Sequence, residues 1–151
     1  MNDQQLSQLS TVTVDVLKAA AFSWGEPCPT VELGTEFDDV LLTQVRFSGP
    51  STGVVGLAMP EQLATTLAAD ILSADGDDLT AEQIEDACKE LANVVCGQWL
   101  TAAFGSQPVF KLSVPEAARL NRDGWCEWID APTAIGVQID DQPLAAQICL
   151  D

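Results

Sequence analysis

The chain has 151 residues, 47% of them hydrophobic and 19% charged, a composition that predicts one folded domain with a sizeable core. Its 23 acidic and 6 basic residues give a net charge of −17, which argues against nucleic acid and anionic membrane surfaces as partners. The sequence has no apolar run of membrane-spanning length and no secretory signal at its start, so we expect a cytoplasmic protein.

The first half of the chain predicts a long helix, three strands and a short helix. Apolar residues recur at helical spacing over residues 3–22, and a segment rich in Gly and Pro ends this helix. Three runs with strand character follow, at 30–37, 40–48 and 53–59. The turn residues between these runs favour an antiparallel meander. Pro60 is suited to the first turn of a short helix that ends near residue 71.

The second half predicts one long helix followed by short strands. Thr80 and Gln83 have the spacing of a capping box, and we expect the helix that they start to reach residue 104. Strands are predicted at 109–114, 125–129, 135–140 and 145–150, with a turn before residue 121 and a hairpin at the end. The predicted fold class is α+β: a single domain with a mainly antiparallel sheet and long helices packed on one face.

The histidine and cysteine content narrows the possible chemistry. The chain has no His, which excludes His-based acid–base catalysis, Ser-His-Asp and Cys-His nucleophiles, and mixed Cys/His zinc sites. The five cysteines form no Cys-x-x-Cys pair, and their odd number is typical of reduced, structural thiols. The acidic segment 74–78 lacks the spacing of a calcium loop, so we predict no metal site in the chain.

One face of the long helix carries residues that stability alone would not select. At about 100° per residue, Glu90, Asn93 and Gly97 fall within about 40° of Asp86, opposite the apolar positions. Asn is a poor former of helix interiors, and Gly costs about 1 kcal/mol relative to Ala. This face is either an ordinary solvent-exposed surface or a carboxylate and an amide that are presented, past a small glycine, to a docking partner.

The same residues also match a family motif. Asp86, Glu90 and Asn93 are followed 22 positions later by Pro115. This spacing resembles the signature of the CheC/CheX/FliY family of chemotaxis phosphatases, and all of its fixed positions are filled. The chain length and the single motif are most similar to the CheX members. The resemblance covers roughly residues 43–115, where the segments 47–56 and 59–72 resemble the family's strand–turn–strand and middle helix.

The resemblance also implies an internal repeat, because the family is built from two structural repeats. Residues 15–22 can be aligned with residues 86–93, which share an Asp and a Lys at equivalent positions. In this alignment Ala19 and Phe22 take the places of Glu90 and Asn93. The fold is therefore expected to contain two pseudo-repeats, with one active site per chain.

The function that the resemblance implies is hydrolysis of the aspartyl phosphate of a CheY-type response regulator. The Mg²⁺ would belong to the regulator, and this chain would need no cofactor of its own. Asn93 would orient the attacking water, and Glu90 would pair with a lysine of the regulator. Asp86 would orient the first turns of the helix or contact the partner, and Pro115 would shape a nearby turn. Gly97, because it lies on the same face, would leave room for the partner's backbone.

Two alternative functions and a predicted oligomeric state also follow from the sequence. The chain could be a non-enzymatic binding module that sequesters a regulator or joins a chemotaxis or flagellar-switch assembly. It could also be a phosphatase for a regulator outside chemotaxis. The resemblance implies a homodimer, and Trp125 and Trp128 would lie either in the core or at the dimer interface.

Overall fold

The computed structural model, which describes residues 1–151, has four helices and seven strands. The helices are α1 (Asp3–Ala21), α2 (Glu61–Leu72), α3 (Ala81–Phe104) and α4 (Arg122–Asp130). The strands are β1 (Glu26–Cys28), β2 (Val40–Ser48), β3 (Gly53–Pro60), β4 (Lys111–Leu112), β5 (Glu116–Leu120), β6 (Ala134–Ile139) and β7 (Gln142–Leu150). Single turns of 3-10 helix lie at Thr30–Glu32 and Gly76–Asp78.

The sheet separates two helical layers of unequal size. On one face, Leu41 and Phe47 of β2 pack in a large apolar cluster with α1, α2 and α3, which contributes the fully buried Trp99. On the other face, Leu42 packs with Trp125 of α4 in a smaller cluster. Successive residues of a strand point to opposite faces, which is why neighbouring positions of β2 belong to different clusters. The predicted α+β class is confirmed, with the long helices on one face and the short α4 on the other.

The long helices and the last hairpin are confirmed near their predicted bounds. α3 begins with the predicted capping box, in which the Thr80 hydroxyl accepts a hydrogen bond from the Gln83 backbone amide at 3.1 Å. The Gln83 side-chain oxygen in turn accepts a hydrogen bond from the Thr80 backbone amide at 2.9 Å. β2 and β3 pair antiparallel along their whole length, and β6 and β7 form the final hairpin.

Two segments after α3 differ from the prediction. Residues 125–129, predicted as a strand from their Trp and Ile content, lie inside α4. This helix starts at Asn121, whose side chain accepts a hydrogen bond from the Gly124 amide at 2.9 Å. The segment before residue 121, predicted as a turn, is strand β5, which pairs with β2. The two strands are far apart in the sequence, so no local pattern indicates their pairing.

Two predicted strands are wrong in position or extent. Residues 30–37 contain only the 3-10 turn, with Val31 90% exposed and Gly34 at a φ of +85°. The strand lies earlier, at β1, where Pro27 is tolerated because β1 is at the edge of the sheet. Of residues 109–114, only Lys111–Leu112 pairs with β2.

The strand order has two-fold symmetry, as expected from two pseudo-repeats. The order is β1-β6-β7-β3-β2, with β4 and β5 both on the free edge of β2. One half of the chain contributes α1, β1 and the β2–β3 hairpin, and the other contributes α3, β5 and the β6–β7 hairpin. The axis runs between the antiparallel β3 and β7, and each half's edge strand pairs with the hairpin of the other half. The residue-by-residue alignment of α1 with α3 stays a prediction.

Gly56 of β3 shows how closely α4 packs on the sheet. A Cβ atom at this position would lie 2.6 Å from Cη2 of Trp128, whose Nε1 donates to the Ala145 carbonyl at 3.1 Å. Because the indole ring is held by this hydrogen bond, it cannot easily move aside. We expect Gly56→Ala to lower the free energy of unfolding by about 1–3 kcal/mol in urea titrations. Unchanged stability would show that the ring is not fixed.

Candidate functional site on helix α3

The structure places Asp86, Glu90, Asn93 and Gly97 along one outward face of α3. Asp86 and Glu90 are exposed, and Asn93 and Gly97 are half-buried. The opposite face is in the core, where Cys88, Leu91, Val95 and Trp99 are 0–2% exposed. The apolar face thus fixes the rotation of the helix, and these four outward residues lie on the side away from the sheet.

The side chains of Glu90 and Asn93 have no partner within the chain. Neither the carboxylate nor the amide makes a hydrogen bond or ion pair to another residue, whereas the Asp86 carboxylate lies 4.0 Å from the Lys89 ammonium. Residues three positions apart lie side by side on a helix, so the Glu90 and Asn93 groups are neighbours. Together they can offer one negative charge and one neutral donor–acceptor to a bound molecule.

Two hydrogen bonds, one buried and one part-buried, hold α3 against the rest of the domain. The Thr43 hydroxyl, from the middle of β2, donates to the Cys88 carbonyl at 3.3 Å. The Trp99 indole donates to the Gln5 carbonyl of α1 at 2.9 Å. One of these bonds lies just before the Glu90 and Asn93 pair in the sequence and the other just after it, so the pair is carried on a rigid support.

An ion cluster around Arg119 fixes the first half of α3. The Arg119 guanidinium, from β5, binds Glu61 at the start of α2 and lies 3.4 Å from the Glu85 carboxylate of α3 and 3.8 Å from Asp39. Partial burial lowers the pKa of Arg119, but the hydrogen bond to Glu61 and the charges of all three carboxylates outweigh it, so the pKa is raised. Glu85 directly precedes Asp86, so the cluster positions the motif. Sequence reasoning missed it because Glu85 and Glu61 lie 34 and 58 residues from Arg119.

Pro115 lies in a β-bulge between β4 and β5. Residues 113–115 stand opposite only Val45 and Arg46 of β2, so the register of pairing shifts by one residue across them. The Ser113 amide donates to the Arg46 carbonyl at 2.8 Å, and the Arg46 amide donates to the Ser113 hydroxyl at 2.9 Å. Pro115 has no N–H to contribute to the ladder, and a bulge is a position that tolerates this.

Gly97 has open space where a side chain would be. Apart from its two neighbours and the nearby helix backbone, no heavy atom lies within 4 Å of a Cβ built at this position, so packing inside the chain does not require glycine. We expect Gly97→Ala to raise the free energy of unfolding by about 1 kcal/mol, because alanine is the better helix former. Urea titration of this variant and of Gly56→Ala tests both predictions together. The same substitution, glycine to alanine, should raise the free energy of unfolding at residue 97 and lower it at residue 56. A loss of stability in Gly97→Ala would contradict it.

The two cysteines of α3, Cys88 and Cys96, are poorly suited to act as nucleophiles. All five are free, and burial raises the pKa of Cys88 and of Cys96 to about 12. At neutral pH these two thiols are therefore protonated and poorly nucleophilic. The side chains of Glu90 and Asn93 remain the polar groups of this face that have no partner within the chain. The structure has no cluster of three or more His, Cys, Asp or Glu residues arranged to hold a metal ion.

Solved structures with the same fold are chemotaxis proteins. CheX from Vibrio vulnificus superposes with a TM-score of 0.74 at 17% identity over all of both chains. CheX from Desulfovibrio desulfuricans gives 0.70 at 18% identity, covering 97% of this chain and 99% of that one. The complex of CheX with CheY, BeF₃ and Mg²⁺ from Borrelia burgdorferi gives 0.67 at 16% identity, covering 99% of each chain. No curated protein sequence matches the chain significantly.

The fold and the motif-bearing helix define an α+β domain of the kind found in chemotaxis proteins. The family model described as chemotaxis phosphatase CheX matches residues 41–121, more than half of the chain and a range that contains Asp86, Glu90, Asn93 and Pro115. The protein belongs to the CheX family. None of its four helices has the length and apolar content needed to cross a membrane.

Proposed function

We propose that this protein is a phosphatase that removes the aspartyl phosphate from a CheY-type response regulator. One observation carries the proposal: in a chain of the CheX family, Glu90 and Asn93 stand unpaired and adjacent on an outward helix face. The helix below them is held rigidly by the core, by Thr43 and by the Arg119 cluster. A non-enzymatic binding module would have no need for the amide at residue 93.

Asn93 would position the water that attacks phosphorus. Its amide can accept a hydrogen bond from the water and donate one to a phosphoryl oxygen, and it does not titrate near neutral pH. Hydrolysis of a phosphoryl group requires the water to lie in line with the bond that breaks. Because Asn93 is half-buried on a fixed helix, its amide has a restricted range of positions. No general base is needed if positioning accounts for most of the acceleration.

Glu90 would hold the regulator in register. Its carboxylate, one turn before Asn93, would form a charge-assisted hydrogen bond with a lysine of the regulator. The Borrelia burgdorferi structure, in which CheX is bound to CheY with BeF₃ and Mg²⁺, supports a regulator as the partner and the regulator as the source of Mg²⁺. Asp86, at the start of the same face, would contact the partner more weakly because Lys89 lies beside it.

The direct test follows phosphate loss from CheY-type receivers of the same organism, phosphorylated with Mg²⁺ present. Acceleration by the wild-type protein that is lost in both Asn93→Ala and Glu90→Ala is the expected result. Binding without acceleration would instead establish the binding module. Acceleration confined to a receiver that does not control flagellar rotation would place the phosphatase outside chemotaxis.

The reaction would take place in the cytoplasm, with a homodimer as the working unit.

Salt is expected to leave the complex intact. A net charge of −17 opposes the approach of an acidic receiver, and added salt screens this repulsion more than it weakens a local Glu–Lys contact. Raising NaCl from about 50 to about 300 mM should therefore strengthen binding or leave it unchanged. Isothermal titration with a receiver loaded with BeF₃⁻ measures this, and sharp weakening would mean that long-range attraction drives association.

A further inference from the structure

A groove of about 220 Å³ runs beside the C-terminal half of α3, between this helix and the segment that leads into β4. Leu100, Phe110 and Leu112 give it an apolar lining, and Gly97 and Thr101 form part of its helical wall. None of its lining residues is charged, although the chain carries 23 acidic side chains. The groove is thus an uncharged patch on a strongly acidic molecule.

The apolar wall of the groove is preformed. The Phe110 ring packs against Phe47 at 6.0 Å and Phe104 at 5.3 Å between ring centroids, and these contacts favour its position in the wall of the groove. Leu112 is 36% exposed, and Val109 and Val114 of the same segment are 82% and 83% exposed. Exposed apolar side chains that border a formed groove are typical of a surface that meets a partner.

The groove continues the face that carries Asn93. Gly97 belongs to both, and it follows Asn93 by four residues, about 6 Å along the helix axis. Apart from its two neighbours and the nearby helix backbone, nothing lies within 4 Å of a Cβ built at Gly97, so the helix surface is open at this position. A molecule docked at Asn93 can therefore extend directly over Leu112.

We propose that this groove receives an apolar side chain of the phosphorylated receiver domain and so determines which receivers bind. The proposal rests on the proposed function. The groove is smaller than the roughly 300–1,000 Å³ of small-molecule pockets, so it fits one or two side chains of a protein surface better than a metabolite. Since the charge of −17 cannot attract an acidic receiver, apolar contact beside the reacting group supplies affinity that electrostatics does not.

Two variants test the groove, with a matched control on the same helix. Leu112→Thr removes apolar lining while keeping a residue suited to a strand, and Gly97→Leu fills the space from the helix side. Gln98→Leu adds the same side chain at an exposed position of α3 that does not line the groove. In isothermal titration with BeF₃⁻- and Mg²⁺-loaded CheY-type receivers, we expect about tenfold weaker binding for the first two variants and wild-type binding for the control.

The outcomes separate this proposal from the proposed function. Wild-type affinity in folded Leu112→Thr and Gly97→Leu would overturn it even if the wild-type protein accelerates phosphate loss. Weakened affinity without any acceleration by the wild-type protein would support the groove and overturn the phosphatase. A shift from dimer to monomer in light scattering, with receiver affinity unchanged, would show that a second copy of the chain fills the groove. No binding to any receiver would overturn both proposals.

Discussion

Asn93→Ala is expected to slow phosphatase-dependent hydrolysis of the regulator's aspartyl phosphate by about 100-fold or more, with the protein fully folded. The loss follows because the water would no longer be held in line with the bond that breaks, and small misplacements at a reacting centre have effects of this size. Stability should rise by about 0.5 kcal/mol, because the Asn93 side chain has no partner inside the chain and alanine is the better helix former. Activity and urea unfolding measured on one preparation test both parts.

Gln98→Ala is the control for Asn93→Ala. Gln98 is an exposed residue of the same helix, and its replacement removes an amide without touching the proposed site. Receiver affinity must also be measured, because the loss of the Asn93 side chain is expected to lower turnover more than binding. Full activity of Asn93→Ala would remove the water-orienting role, and an equal loss in Gln98→Ala would mean that the helix as a whole had been disturbed.

Glu90→Gln is expected to raise the KM for the phosphorylated regulator by about tenfold or more. The substitution keeps the size and hydrogen-bonding atoms of the side chain but removes the charge that would pair with the regulator's lysine. Hydrogen bonds to charged groups contribute about 1.5–3 kcal/mol, so losing the charge weakens docking more than losing a neutral contact would. Initial rates over a range of receiver concentrations separate the effects on KM and kcat.

Glu127→Gln makes the same charge change on α4, which packs on the opposite face of the sheet. It controls for the smaller net charge of Glu90→Gln, since any gain from reduced repulsion would occur in both variants. Equal KM values in the two variants would contradict a local pairing at Glu90. Loss of kcat alone in Glu90→Gln would move the role of the carboxylate from docking to the chemical step.

The parts of the fold that the sequence predicts well are those determined by nearby residues. The bounds of α3 follow from the capping pair Thr80–Gln83 and from apolar spacing over many turns, and the outward placement of Asp86, Glu90, Asn93 and Gly97 follows from the same periodicity. Strand β5 and helix α4 were missed for a physical reason. β5 is short and needs β2 as a partner, and α4 is a short helix whose Trp-rich sequence also suits a strand.

The candidate site likewise has one part that the sequence predicts and one part that it does not. Asp86, Glu90 and Asn93 lie on one helix, so their relation can be predicted from spacing, whereas the contacts that support them come from distant segments. Arg119 reaches Glu85 because β5 is paired with β2, and the groove beside Gly97 is lined by Phe110, which packs on the distant Phe47. Periodicity in one segment carries no information about such contacts, so the ion cluster and the groove could be found only in the folded chain.

The exchange of edge strands between the two halves also determines how the chain must fold. The only strand partner of β1 is β6, through residues 136–138. The N-terminal half of the chain therefore cannot complete its part of the sheet before the C-terminal half has been made. Such distant pairing is slow, because loop closure precedes any gain from contacts. On the ribosome, the β1 backbone would therefore stay without a strand partner until β6 has been made. A truncated chain that ends before β6 would leave this edge open to pairing with other molecules.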